Sequence, residues 1–238
     1  MLFHNYQQRV ERWRQSNSCI MWLPLTDMSG STANDLSPEN NDGTYRANAR
    51  LGQGVGADGQ PCINFSGTGG GDNESVELYS SGFNSDLDGD EVTYMIWAKA
   101  DAGVYTDATT RFLFLLQNGD GDFATILKPG SNNTIRFEVQ IDGAGVTHNH
   151  STSSTAWHHY AISISKTNNK VRYFKDGIQL SAPTFPGTSW DGNIDSQRSQ
   201  IAGNFESGFN MWKGDAQHFM VLDKYMLAGN FTPAITPM

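Results

Sequence analysis

The chain has 238 residues, 37% of them apolar and 11% aromatic, which is enough to build a core and excludes an intrinsically disordered chain. Its net charge of −9 and the lack of a long basic run exclude a general nucleic-acid binder, which needs Lys and Arg concentrated against phosphate. No run approaches the roughly 18 apolar residues of a membrane-spanning helix, so membrane insertion is not expected.

The first predicted element is a helix over 5–15, NYQQRVERWRQ, with Asn5 as its cap and Gln8 three residues on. Tyr6, Val10 and Trp13 fall on one apolar stripe, and Arg9, Arg12 and Arg14 make the segment basic. Residues 1–18 hold three arginines against Glu11, a net of +2 that leaves −11 on the remainder. A helix of about eleven residues is marginal alone, so this arm must pack, either on its own domain or on a partner subunit. Residues 1–18 are thus expected to be a helical arm and 19–238 a single domain. The polar N-terminus resembles no export signal, so synthesis in a cytoplasm without the usual secretory route is expected.

After Ser18 the pattern turns to short extended segments separated by Gly, Asn and Asp. VTYMIWAK over 92–99 is rich in β-branched and aromatic residues, and FLFLL over 112–116 reads as a strand buried on both faces. From Ile135 to Asp142 the period is two: Ile135, Phe137, Val139 and Ile141 share one face, Arg136, Glu138, Gln140 and Asp142 the other. Tyr160, Ile162 and Ile164 alternate with smaller residues. Turns are expected at Asn168-Asn169 and Asp176-Gly177, and 219–222 supplies a late buried strand. Such a series predicts an all-β, antiparallel two-sheet sandwich. Cys19 and Cys62 could form one bridge, but spacing leaves that open.

Six landmarks in order give a resemblance. They are Trp22-Leu23-Pro24-Leu25-Thr26-Asp27 with Asp42-Gly43-Thr44-Tyr45; Ile63-Asn64-Phe65-Ser66-Gly67 with Ser75-Val76-Glu77-Leu78; Val92 to Lys99; Trp157-His158-His159-Tyr160-Ala161; Tyr173-Phe174-Lys175-Asp176-Gly177; and Phe209 to Leu227. Together, over about residues 20–230, they resemble the laminin-G-like jelly rolls of the concanavalin A-like superfamily. The resemblance implies a jelly-roll sandwich and leaves the activity open, since this fold carries lectins, hydrolases, lyases and assembly modules.

Catalytic motifs are weak. The laminarinase-like hydrolases of the superfamily place carboxylates on one strand as E-x-D-x-x-E, and no such string occurs; Glu74 and Glu77 fall on opposite faces. Arg136, Glu138 and Gln140, with Tyr173-Phe174-Lys175, faintly resemble alginate-lyase-type strings, although the accompanying Gln-Ile-His is missing. No catalytic residue is therefore expected. The resemblance implies a structural calcium, which prefers hard oxygen ligands on loops. The candidates are Asp27, Asp35 and Asp215, with Asp72-Asn73 or Asp120 and Asp122 as other loop sites. His148, His150, His158 and His159 could suggest zinc, but the last two belong to the family segment. Trp190 in PGTSWDGN, Trp212 in FNMWKGD and Tyr105 are the candidates for stacking on sugar rings.

The expected function is a non-catalytic, surface-displayed binding or assembly module. A leaderless jelly roll with a basic arm looks like a phage virion component, such as a capsid decoration or fibre-associated protein. Tyr6, Arg9, Val10, Arg12, Trp13 and Arg14 would dock it on other virion subunits, with self-association a further option. Made in the host cytoplasm, it would end on the virion surface. The alternative is an extracellular, lectin-like adhesion module reading host-surface glycans; a polysaccharide hydrolase or lyase ranks behind both.

Overall fold

The computed structural model describes residues 18–46, 49–67, 74–130, 133–188, 190, 193–196, 198–203 and 211–227. The arm residues Tyr6, Arg9, Val10, Arg12, Trp13 and Arg14, and the candidate ligands Asp72 and Asn73, lie outside them.

In chain order the strands are β1 (Cys19–Leu23), β2 (Thr32–Ala33), β3 (Gly43–Tyr45), β4 (Arg50–Val55), β5 (Pro61–Ser66), β6 (Val76–Glu77), β7 (Glu91–Ala100) and β8 (Arg111–Gln117). There follow β9 (Phe123–Lys128), β10 (Thr134–Ile141), β11 (Ala144–Ser151), β12 (His158–Ser165), β13 (Lys170–Lys175), β14 (Ile178–Ser181), β15 (Gln200–Ile201) and β16 (Lys213–Leu222). A short helix, α1 (Ser81–Asp86), starts where the Ser80 hydroxyl accepts the Phe83 N–H at 2.9 Å, and it drops the Phe83 ring into the core.

Two eight-stranded antiparallel sheets face each other. The first runs β14-β13-β12-β7-β16-β5-β4, with β1 also paired to β16; the second runs β11-β10-β9-β8-β15-β6-β3-β2. Between them lies the main core, built from the alternate residues the period of two selects: Tyr94, Ile96 and Ala98 of β7, Tyr160, Ile162 and Ile164 of β12, and Ile135, Phe137, Val139 and Ile141 of β10. The two-sheet sandwich expected from sequence is thus observed.

Two local devices hold the register. Asp176 and Gly177 both take positive φ, 51° and 80°, the type I′ geometry whose twist suits a two-residue hairpin. In β16 the register shifts between Gln217 and Met220, with His218 at φ 51°. That bulge inserts one residue into the alternation. Ala216, Phe219 and Val221 therefore all reach the main core, while Gln217, Met220 and Leu222 face the other way. The two cysteines are buried and free, and burial, the largest effect, pushes each thiol up to about 12.

Candidate functional site

A jelly roll offers a ligand the outer faces of its two sheets and its loop rims. On the first sheet the outer face is closed over β13, β12, β7 and the later half of β16. Met95, Trp97, Ala161, Phe174, Gln217 and Met220 point outward there, yet each is buried. Residues 224–226 cross it: Thr93 Oγ1 donates to the Lys224 carbonyl, the Met226 N–H donates to Ser163 Oγ, and Arg172 Nε donates to the Tyr225 hydroxyl. The turn between β4 and β5 covers Gln217 and His218, with Asp58 accepting from Gln217 Nε2 at 2.6 Å and from His218 Nε2 at 3.1 Å. The Trp22 indole N–H also donates to His218 Nδ1, at 3.4 Å, so the ring is held from both sides. Although burial works against a charge on Asp58, hydrogen bonds led by His218 hold it below the usual carboxylate range.

The second sheet is different. Its outer face carries three rows of directly opposed residues. The long row crosses all eight strands as Thr147, Glu138, Thr125, Leu115, Gln200, Glu77, Thr44 and Thr32. On one side lie Asn149, Arg136, Leu127 and Phe112; on the other, Gly145, Gln140, Phe123 and Gln117. The centre, Leu115, Thr125 and Gln200, is buried, whereas Arg136, Glu138, Gln140, Phe123, Phe112 and Gln117 are part-exposed and Thr147 and Asn149 exposed.

This half of the sheet, β8 to β11, presents a polar, part-exposed face. The Arg136 guanidinium is oriented by Asn149, whose Oδ1 accepts Nε at 3.1 Å, and the Gln140 amide donates to the Gly121 carbonyl at 3.1 Å. Among the described residues Glu138 has no hydrogen-bond or ion-pair partner, so its carboxylate is available to a ligand. Arg136, Glu138 and Gln140 sit two residues apart on one strand, a span of about 14 Å at the usual strand rise. Gly145 opposite Gln140 adds no side chain on the β11 side, and the Phe123 ring flanks Gln140 on the β9 side. Across the sheet a second polar group forms where Arg46 Nη2 meets Glu77 Oε2 at 2.8 Å.

The expected sugar-stacking rings are not here, and this corrects the sequence reading. Trp190, Trp212 and Tyr105 are all buried, the first two to 1% exposure, and belong to the main core. Trp190 packs with its centroid 6.1 Å from that of Tyr94, and Tyr105 shares a hydrogen bond with Tyr160 while burial pushes its hydroxyl up to about 12. A ring so covered has no face to offer a sugar.

The calcium candidates are not gathered into one site. Asp35 accepts four hydrogen bonds, from the N–H groups of Trp22, Ser37 and Asn41 and from Ser37 Oγ, at 2.6–2.8 Å. Asp27 instead holds Asn34 and the Tyr45 hydroxyl, and Asp215 holds Asn64 and Lys99. Asp122 orders its own turn with Asn118 and Asp142, and the Asp120 N–H donates to Asn118 Oδ1. Among the described residues no three His, Cys, Asp or Glu side chains converge as metal ligands would. The histidines are likewise split: His159 lies on the covered face against Trp97, His158 pairs with Asp176 at 2.8 Å, and His148 stacks on Tyr173.

The lyase-like constellation also separates. Tyr173 is fully buried between the sheets, its hydroxyl donating to the Val146 carbonyl at 2.7 Å, while Arg136 and Glu138 face outward on the opposite sheet. Burial, reinforced by the Glu138 charge, pushes the Tyr173 hydroxyl far above its ordinary range, the reverse of what a tyrosine base needs. Nor does Glu74 form a carboxylate pair with Glu77: it accepts the Ser66 N–H and faces Arg50.

The sequence alone places Arg136, Glu138 and Gln140 on one face of a strand. It missed Phe123, Phe112, Gln117, Thr147 and Asn149, which join that face only through strand pairing. Only the alternation within β10 signalled the face.

An antiparallel sandwich with one polar open face defines a jelly-roll of the lectin and glucanase kind. The family model described as the concanavalin A-like lectin/glucanases superfamily matches residues 69–229, more than half of the chain, and the chain belongs to that superfamily. None of the curated proteins matches the sequence. Among solved structures it is similar to the receptor binding domain of botulinum neurotoxin mosaic serotype C/D, at TM-score 0.66 and 10% identity over 90% of this chain and 49% of that one. Domain 4 of the extracellular arabinanase AbnA of Geobacillus stearothermophilus, in complex with arabinotriose, superposes at TM-score 0.61 and 14% identity, covering 92% of this chain and 98% of the other. The CBM40 module of the Ruminococcus gnavus IT-sialidase, bound to α2,3-sialyllactose, matches at TM-score 0.55 and 14% identity over 71% and 93%. The chain spans about half the length of the toxin binding domains it matches. At such identities the likeness establishes the fold.

Proposed function

We propose that this chain is a non-catalytic carbohydrate-binding module whose ligand lies on the outer face of the second sheet, over β8 to β11. The observation that carries the reading is the open row of Arg136, Glu138 and Gln140, flanked by Phe123, Thr147 and Asn149. Sugars present many hydroxyls that both donate and accept, and their rings have weakly polar C–H faces. A carboxylate, a guanidinium and amides fixed on a rigid sheet answer the first property, and a part-exposed aromatic ring answers the second. The same fold carries arabinotriose and α2,3-sialyllactose in two of the similar structures, which supports this ligand class. The non-catalytic part rests on the separation of Tyr173 from Arg136 and Glu138, and on Glu74 being engaged with Ser66 and Arg50 and not paired with Glu77.

The test is a glycan array followed by calorimetric titration of any hit against Glu138→Ala and Arg136→Ala. Each substitution is expected to weaken binding about tenfold or more, the loss of one charge-assisted hydrogen bond, with melting unchanged. Binding that survives both substitutions, or no glycan bound at millimolar concentration, refutes this face.

A further inference from the structure

Lys128 is a fully buried lysine, a rare state for a side chain that is hard to desolvate unless paired. Its Nζ sits among four oxygens: the Asp107 carbonyl at 2.5 Å, Asp107 Oδ1 at 2.7 Å, the Thr109 carbonyl at 3.0 Å and the Gly130 carbonyl at 3.4 Å. The other Asp107 oxygen is held by Arg111, at 2.9 Å from Nε and 2.7 Å from Nη2. Arg111 Nη1 then donates to the carbonyls of Gly67 and Met211, both at 3.0 Å. Two cations thus share one carboxylate, and five carbonyl dipoles meet the remaining positive charge.

We propose that the oxygens of Asp107, Thr109 and Gly130 form a monovalent-cation site whose resident ion is the ammonium of Lys128, supplied by the chain itself. An ammonium has three protons to share among four oxygens, so the cage treats it as a charge to be surrounded more than as a set of directed donors. The site ties the loop before β8 to the turn after β9. Through Arg111 it also gathers the residue after β5 and the residue two before β16, at one end of the sandwich. A divalent ion is disfavoured, because it seeks six to eight oxygens with several carboxylates. Here there are four, and the single carboxylate is already shared with a guanidinium.

The emptied cage should therefore bind a small monovalent cation. Lys128→Ala is expected to melt about 6–20 °C below the native chain, as when one partner of a buried pair is removed. Methylammonium chloride should restore about half of that loss, while choline chloride at equal ionic strength, too large to enter, and calcium chloride should not. Lys128→Met keeps the apolar stem and fills the cage, so it should be destabilised and gain nothing from methylammonium. Equal recovery in choline, better recovery in calcium, or a Lys128→Met chain as stable as the native one would overturn the proposal. If Lys128→Ala does not fold, the native protein decides. A protected ammonium gives a slowly exchanging lysine ¹H–¹⁵N signal at neutral pH that Lys128→Met lacks, and its absence from the native chain would equally overturn the site.

Discussion

Replacing Trp190 separates a core ring from a sugar-stacking ring. The indole is 1% exposed, packs beside Tyr94, and lies so close over Gly89 that a Cβ there would come within 2.8 Å of it. Trp190→Ala removes this whole volume from a close-packed site, a change that costs about 3–5 kcal/mol. For a domain of this size each kcal/mol lowers Tm by about 2–4 °C, so a fall of about 6–20 °C is expected. The indole N–H is buried with no hydrogen-bond partner in the described structure. Trp190→Phe therefore discards an unsatisfied donor along with part of the ring, and should cost less than about 1.5 kcal/mol. Urea unfolding followed by circular dichroism measures both, with an unchanged m-value confirming that the folded states are comparable. A Trp190→Ala chain within about 0.5 kcal/mol of the native one would refute the core placement and return the ring to the loop rim.

Other consequences are equally direct. Burial, the largest influence, pushes the His159 imidazole down to about 3, below its unfolded value near 6.5. Stability is therefore complete above about pH 6.5 and falls as pH drops toward 3, by at most about 1.4 kcal/mol per unit; the slope of urea midpoints against pH should flatten in His159→Gln. Asp58, Asp107 and Asp176 are depressed, despite burial, by their hydrogen-bonded partners. Their contribution is lost only below about pH 4, so native and His159→Gln chains should share that steeper acid limb. Gly214 stands at φ 136°, and a Cβ there would lie 2.1 Å from the Lys99 carbonyl oxygen. Gly214→Ala should cost about 2–4 kcal/mol by chemical denaturation, and a neutral result would contradict the close pairing of β16 with β7. Cys19 and Cys62 should resist iodoacetamide in the folded chain at pH 8 and react on unfolding, as mass spectrometry would record.

Legibility in the sequence followed the range of the interaction. Alternation is a local property, so Ile135, Phe137, Val139 and Ile141 announced a half-buried strand, and Asp176-Gly177 announced its tight turn. The family landmarks did the same for the sandwich. Loop aromatics misled because a tryptophan in a run of Gly, Ser and Asp reads alike whether its ring turns out or in. Trp190 and Trp212 turn in, since the sandwich has apolar space to fill at its ends. Lys128 gave no sign at all: in FATILK it looks like the polar end of a strand.

The sequence by itself thus determined the class of fold, the faces of β10 and β12, and the absence of a catalytic carboxylate string, because each depends on residues near one another in the chain. Only the tertiary structure decided which outer face stays open, that Phe123 and Asn149 join Arg136 and Glu138, and that Asp107 and Gly130 enclose an ammonium. Those are choices of strand order and loop crossing, and their free energy comes from contacts between residues that the chain holds far apart.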